Sequence, residues 1–232
     1  MRLIIVAFLF FVVAKISYAN HPGENIDQFM EDQEKYFQAI DLKNAPDFML
    51  VDQTGDRVSL SDFKDKVVIL NFVFTNCQDV CPLHTNVIAD IQEKINITPM
   101  KENVQFISIT TDPENDTSDV MNQYGQSYNL EAANWTFLTV PQGAPASMTR
   151  ELAEAYGARF DPVAGGQQMH GVVTHIIDRE GRWAAKFHGL EFGMVNLVLY
   201  VNGLISNWYH NSNVHQKTIW DKFLDLLPFK ND

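Results

Sequence analysis

Val67-Val68-Ile69-Leu70-Asn71-Phe72-Val73-Phe74, followed by Thr75-Asn76-Cys77-Gln78-Asp79-Val80-Cys81-Pro82, is the stretch on which the fold turns. Its first half is a continuous apolar run with one Asn, rich in β-branched residues and entered through Lys64-Asp65-Lys66. That is the pattern of a strand buried on both faces, as central parallel strands of an α/β sheet are. From Pro82 onward, Leu83, Val87, Ile88, Ile91 and Ile95 recur at spacings of three and four. This predicts an amphipathic helix packed on the strand. Cys77 and Cys81, the only cysteines of the chain, thus occupy a strand-to-helix junction.

Upstream, residues 45–60 read as two short strands around Thr54-Gly55-Asp56, with a single helical turn opening at Ser61-Asp62-Phe63. Downstream, residues 104–109 form a second apolar strand. Asp116 or Thr117 is placed to cap a helix running to about Tyr128. Residues 135–139 are strand-like, residues 146–156 are helical and stop at Gly157 as a left-handed cap would, and residues 158–170 read as a loop. Residues 172–177 and 182–187 bracket Asp178-Arg179-Glu180-Gly181 as a β-hairpin, and residues 191–205 form a last helix. Strands alternating with helices predict an α/β sandwich with a central mixed β-sheet flanked by helices. The expected domain covers residues 41–206. Residues 20–40, with a short charged helix within 24–38, are an N-terminal extension, and residues 207–232 are a helical C-terminal extension carrying Ile219, Phe223, Leu226 and Leu227.

Met1-Arg2, the apolar run 3–14 and Ser17-Tyr18-Ala19 have the charged start, apolar middle and small-residue exit of a secretory signal. Lys15 interrupts the run short of the about 20 apolar residues expected of a membrane span, so cleavage after Ala19 is favoured over retention as an anchor. The chain, with sixteen Phe in all, holds enough apolar surface beyond this segment for one sizeable core. A formal net charge of −12 without a Lys/Arg block argues against a nucleic-acid partner.

A disulfide across three intervening residues closes almost no loop, so this pair is reactive or metal-binding rather than structural. Backbone N–H groups and the positive dipole end at a helix start favour thiolate over thiol, which predicts lowered pKa values for Cys77 and Cys81. Residues four apart on a helical turn share a face, so both sulfurs can meet one ion or form one disulfide. Soft thiolates select Cu(I), with Zn(II) as competitor, and two thiolates plus an imidazole suit low-coordinate copper. A purely redox-active disulfide stands equal to copper on these residues alone, although thioredoxins use two intervening residues.

The run Phe72-Val73-Phe74-Thr75-Asn76-Cys77-Gln78-Asp79-Val80-Cys81-Pro82 closely resembles the signature of the Sco/SenC family. The stretch Ser108-Ile109-Thr110-Thr111-Asp112-Pro113-Glu114-Asn115-Asp116-Thr117 is similar to its second block, and the hairpin preceded by a histidine is a third match. The resemblance implies a thioredoxin-like fold binding copper, as Cu(I) or Cu(II), through Cys77, Cys81 and His170. It further implies delivery of copper to a respiratory acceptor such as a cytochrome c oxidase subunit with its dinuclear copper site, reduction of that acceptor's cysteines, or both. An exported thiol-disulfide oxidoreductase using Cys77 and Cys81 without obligatory copper is the alternative, and a thiol peroxidase is a faint third. The implied site is the periplasm or the outer face of the cytoplasmic membrane. Departures are an N-terminus that looks cleavable where the family keeps an anchor, Met169-His170 in place of Asp-His, and a tail beyond Ser206.

Counting back eleven residues from Gly181, as the family pattern does, gives His170 as the ligand rather than His175. Independently, His170 ends a loop beside Gly171, where a Gly-rich segment can swing an imidazole over the thiols. His175 lies five residues further along a strand, roughly 16 Å away at about 3.3 Å per residue. Asp79, between the cysteines, and Asp112, which resembles the family's Asp near the metal loop, are expected to support the site without binding the metal. His84 is read as a solvated surface histidine, Met169 as covering a core edge, and Trp208 and Trp220 as packing residues. His188, His210 and His215 show no metal-site spacing.

Overall fold

The computed structural model describes residues 26–77, 80–163 and 166–215, with the backbone alone at 41–43, 161–170 and 207–215. Helix α1 (Ile26–Gln33) leads into strand β1 (Phe37–Asn44), which the sequence pattern does not announce. Strands β2 (Met49–Asp52) and β3 (Arg57–Ser59) form the expected hairpin, whose turn is folded around the Asp52 carboxylate: it accepts from Thr54 N (2.8 Å) and Asp56 N (3.0 Å). A 3₁₀ turn at Leu60–Phe63 follows. Next come β4 (Val67–Val73), α2 (Val80–Asn96), a 3₁₀ turn at Pro99–Asn103, β5 (Val104–Thr110), α3 (Ser118–Ser127), β6 (Trp135–Thr139) and α4 (Ser147–Ala155). The described residues continue with β7 (Arg159–Val163), β8 (Gly166–His170), β9 (Val173–Ile177), β10 (Arg182–His188) and α5 (Met194–His215).

Among the described residues, eight strands form one mixed sheet in the order β1-β10-β9-β4-β5-β6-β2-β3. Strands β4, β5 and β6 are parallel, whereas β9 runs antiparallel to β4. All seven residues of β4 and all seven of β5 are buried, as strands covered on both faces must be. Val67, Ile69 and Val73 join the core under α2, α3 and α5, while Val68, Leu70 and Phe72 join the core under α4 and the β2–β3 hairpin. A one-residue register slip would exchange these two sets, so the apolar run also pins the register.

Three parts of the sequence reading are corrected by the fold. Residues 158–170 are not a loop: they hold β7 and β8, an antiparallel pair separate from the main sheet, with Arg159 opposite His170. Polar and glycine residues hid the pairing, because this hairpin has no apolar alternation. Residues 37–44 form the sheet's edge strand, paired with β10 from Phe37↔Phe187 to Asn44↔Arg182. Their charges, Asp41 and Lys43, mask strand character, as edge strands often do. The last helix starts three residues later than expected and runs to His215, and the apolar positions at 219–227 lie outside the described residues.

Helix α4 ends as its sequence predicts. Gly157 adopts φ +90°, its N–H reaches Glu154 O (2.8 Å), and Ala158 N reaches Ala153 O (2.9 Å), the two bonds of a Schellman cap. At Asp178-Arg179-Glu180-Gly181, one Asp178 oxygen accepts from Glu180 N and Arg182 N, both at 2.9 Å, and the other from Arg182 Nε (2.8 Å), closing the β9–β10 turn.

Candidate metal centre

Parallel strands deliver their following loops to one end of a sheet, and that end is where α/β proteins place ligand sites. Here β4 and β5 end level, Val73 opposite Thr110, and Thr111 N donates to Val73 O (2.8 Å). The loop 74–77 and the loop 111–117 therefore emerge side by side. Because Leu70 faces His175 across β4 and β9, the start of β9 lies at the same end, together with the residues 170–172 that precede it. Gly171, at φ +86°, turns the chain from β8 into β9, a conformation that L side chains avoid.

Within this end, Cys77 N donates to Phe74 O (3.2 Å) and Cys81 N donates to Cys77 Sγ (3.4 Å), so the two cysteines share one turn at the start of α2. Cys77 is half-buried and Cys81 is buried, and both are unbridged thiols. Burial pushes the Cys81 thiol up to about 12. The Phe74 N–H opposes this, whereas the hydrogen bond from Cys77 and the charges on Cys77 and Asp116 add to it. The expectation of a lowered pKa thus fails for Cys81. A helix start is worth typically 0.3–1 kcal/mol. That is less than one pKa unit, about 1.36 kcal/mol, and desolvation outweighs it.

His84 is the second correction at the site. It is 3% exposed, its Nε2 pairs with Thr174 Oγ1 (2.9 Å), and burial pulls its imidazole down to about 4. The periodicity carried the signal, since His84 precedes Ile88, Ile91 and Ile95 at spacings of four, three and four on the buried stripe. Leu83, which the sequence pattern assigned to that stripe, is 54% exposed instead. Beside His84, Thr85 Oγ1 pairs with Tyr124 Oη (2.5 Å), whose phenol is raised by burial first, with the charges of Tyr128, Cys81 and Cys77 contributing.

The predicted supporting residues separate. Asp79 lies outside the described residues. Asp112 accepts from Asn115 Nδ2 (3.0 and 2.8 Å) and stays in its own loop. The carboxylate at the site is instead Asp116, 1% exposed, which the sequence offered only as a helix cap. Thr117 does the capping, accepting from Val120 N (3.4 Å). Asp116 accepts from Thr75 N (3.3 and 3.4 Å) and from the hydroxyls of Thr75 and Thr110. Burial raises its pKa, with the Thr110 and Thr75 donors opposing and Asp112 adding. No spacing in the sequence marks this contact, which joins positions 41 residues apart.

His170 is placed by its backbone as the last residue of β8, two residues before Val172, whose carbonyl accepts from Gly189 N (2.7 Å). His175 is buried among the rings of Phe72, Tyr156 and Trp183, at centroid distances of 6.0, 5.1 and 5.4 Å. Strand alternation puts it on the sheet face opposite Thr174 and His84. Among the described residues, no group of three His, Cys, Asp or Glu is assembled for a metal. The thiol pair is the soft donor set that is present, and its chemistry fits Cu(I).

Residues 39–195 match the family described as SCO1/SenC. The SCO1 protein homolog of Bacillus subtilis is 31% identical over 146 residues, covering 62% of this chain and 73% of that one. The structure of BsSco, described as a member of the Sco family of cytochrome c oxidase assembly proteins with a disulfide switch, superposes with TM-score 0.62 at 27% identity, covering 71% and 95% of the two chains. Bradyrhizobium japonicum ScoI, solved with copper bound, shares the fold at TM-score 0.56 and 24% identity over 69% of this chain and 98% of its own. With the thioredoxin-like fold and the matched span covering most of its length, the chain belongs to the SCO1/SenC family.

Proposed function

We propose that this protein carries copper as cargo on Cys77, Cys81 and His170, and passes it to a respiratory acceptor such as the dinuclear copper centre of cytochrome c oxidase. The observation that carries the reading is that both cysteines share one turn at the end of the central strands, with Cys81 N donating to Cys77 Sγ (3.4 Å). The copper-bound ScoI and the assembly role of the BsSco family support it. His170 stands as third ligand because its backbone ends β8 at the edge where the loop of Cys77 emerges, whereas His175 points to the opposite interior face. Asp79 is kept as a residue shaping the turn between the cysteines. Asp112, held by Asn115, is kept as a more distant support. The N-terminal pattern of residues 1–19 supports export, with delivery in the periplasm or at the outer face of the cytoplasmic membrane. Among the described residues, which begin at Ile26, no helix is long and apolar enough to cross a membrane. Reduction of the acceptor's cysteines by the same pair is the companion activity.

The experiment is the thiolate-to-Cu(II) charge-transfer spectrum of the reduced protein loaded with one equivalent of Cu(II). His170→Ala is expected to shift or abolish the band with the copper-free fold intact. A band unchanged in His170→Ala but lost in a folded His175→Ala reverses the ligand assignment.

A further inference from the structure

We propose that Asp116 is the positioning residue of the thiol site, a buried carboxylate that locks the chain before Cys77 onto the end of β5 so that both sulfurs stand ready before copper arrives. This rests on the copper reading above.

Strand β4 ends at Val73, and the sheet ladder does not reach the next residues. Within the turn, Cys77 N to Phe74 O closes the backbone locally. Among the described residues, Asp116 ties the turn to the end of β5 by taking the Thr75 amide and hydroxyl. It also takes the hydroxyl of Thr110, the last residue of β5. Thr110 Oγ1 is itself fixed, because it accepts from Asp112 N (2.9 Å) and so has its proton to give to Asp116. Asp116 N in turn donates to Asp112 O (3.0 Å), holding the carboxylate's own backbone. Since Thr117 caps α3, the Asp116 carboxylate serves the cysteine turn and not the helix. A hydrophobic side chain would fill this space without the cost of burying a carboxylate, so the hydrogen bonds are what the position supplies. A ligand turn fixed in advance loses less freedom on binding, which appears as tighter binding and slower release.

The test uses the full chain, reduced, as Asp116→Ala, Thr75→Val and the double variant. Competition with a chromophoric Cu(I) chelator is expected to show Asp116→Ala binding about ten-fold or more weakly. Thr75→Val should lose less, and the double variant no more than Asp116→Ala, because both remove one contact. A second readout is the equilibrium with glutathione. Cys77 and Cys81 give two electrons and two protons to oxidised glutathione, forming their own disulfide and two glutathione thiols. Its constant is expected to move several-fold in Asp116→Ala. If unfolding of the copper-free protein shifts while both readouts stay within two-fold of wild type, Asp116 is merely structural and the proposal is overturned. If Asp116→Ala does not fold, Thr75→Val decides alone, an unchanged pair of readouts overturning the proposal. If wild type binds no Cu(I), the copper reading fails, and the glutathione equilibrium by itself supports or overturns the positioning role.

Discussion

At the scale of single residues, burial decides the chemistry more than sequence position does. Cys77 and Cys81 were legible because two soft donors four apart before a Pro-led helix leave few other readings. Their environment was not legible: Cys81 is buried by tertiary packing, and Asp116, remote in sequence, adds to the rise of its thiol. His84 shows the same limit, and it yields a pH prediction. Its folded pKa, about 4, lies below the ordinary 6.5, so the unfolded chain binds the proton more tightly. Stability is therefore full above pH 6.5 and declines as the pH falls towards 4, by about 3 kcal/mol from this residue. The His175 imidazole, also lowered by burial, acts in the same direction, while the raised Asp116 carboxyl acts against them. Denaturant unfolding from pH 7 to pH 4 should show this decline, with a shallower slope in His84→Gln. An unaltered slope would show that His84 is not neutral and buried.

At the scale of elements, the strands and helices with clean periods were readable: β4 and β5 from unbroken apolar runs, α2 from its spacing, α4 from its terminal Gly157. The edge strand β1 and the pair β7–β8 were not, since their pairing rests on partners remote in sequence rather than on their own pattern. Packing between elements supplies a prediction. Gly125, in α3, lies against the Trp135 ring so closely that an added Cβ would overlap Cζ3 and Cη2. Alanine there gains about 1 kcal/mol of helix propensity but overpacks a rigid indole at about 1–3 kcal/mol. Because Trp135 is also held by its Nε1 bond to Ser108 Oγ (3.1 Å), it cannot swing away freely. Gly125→Ala is expected to lower stability by about 1 kcal/mol, and a raised thermal midpoint would refute the close packing.

For the whole molecule, the order of strands and helices implied an α/β sandwich, and the cysteine and Asp-Pro-Glu blocks implied the family. Asp116 escaped because its role exists only when two strand ends meet. The same convergence links copper to redox state. Residues four apart on a turn have Cα atoms about 6 Å apart, within disulfide range, so oxidation should join Cys77 to Cys81 and block Cu(I) uptake. Stoichiometric Cu(I) loading of the oxidised protein would remove that gate. The central claim, that this thiol pair carries copper, is tested most directly by titrating the reduced full chain with Cu(I) against a competing chelator. The account predicts one tightly held Cu(I) per chain, lost in both Cys77→Ser and Cys81→Ser. Affinity and stoichiometry unchanged in both variants would contradict it.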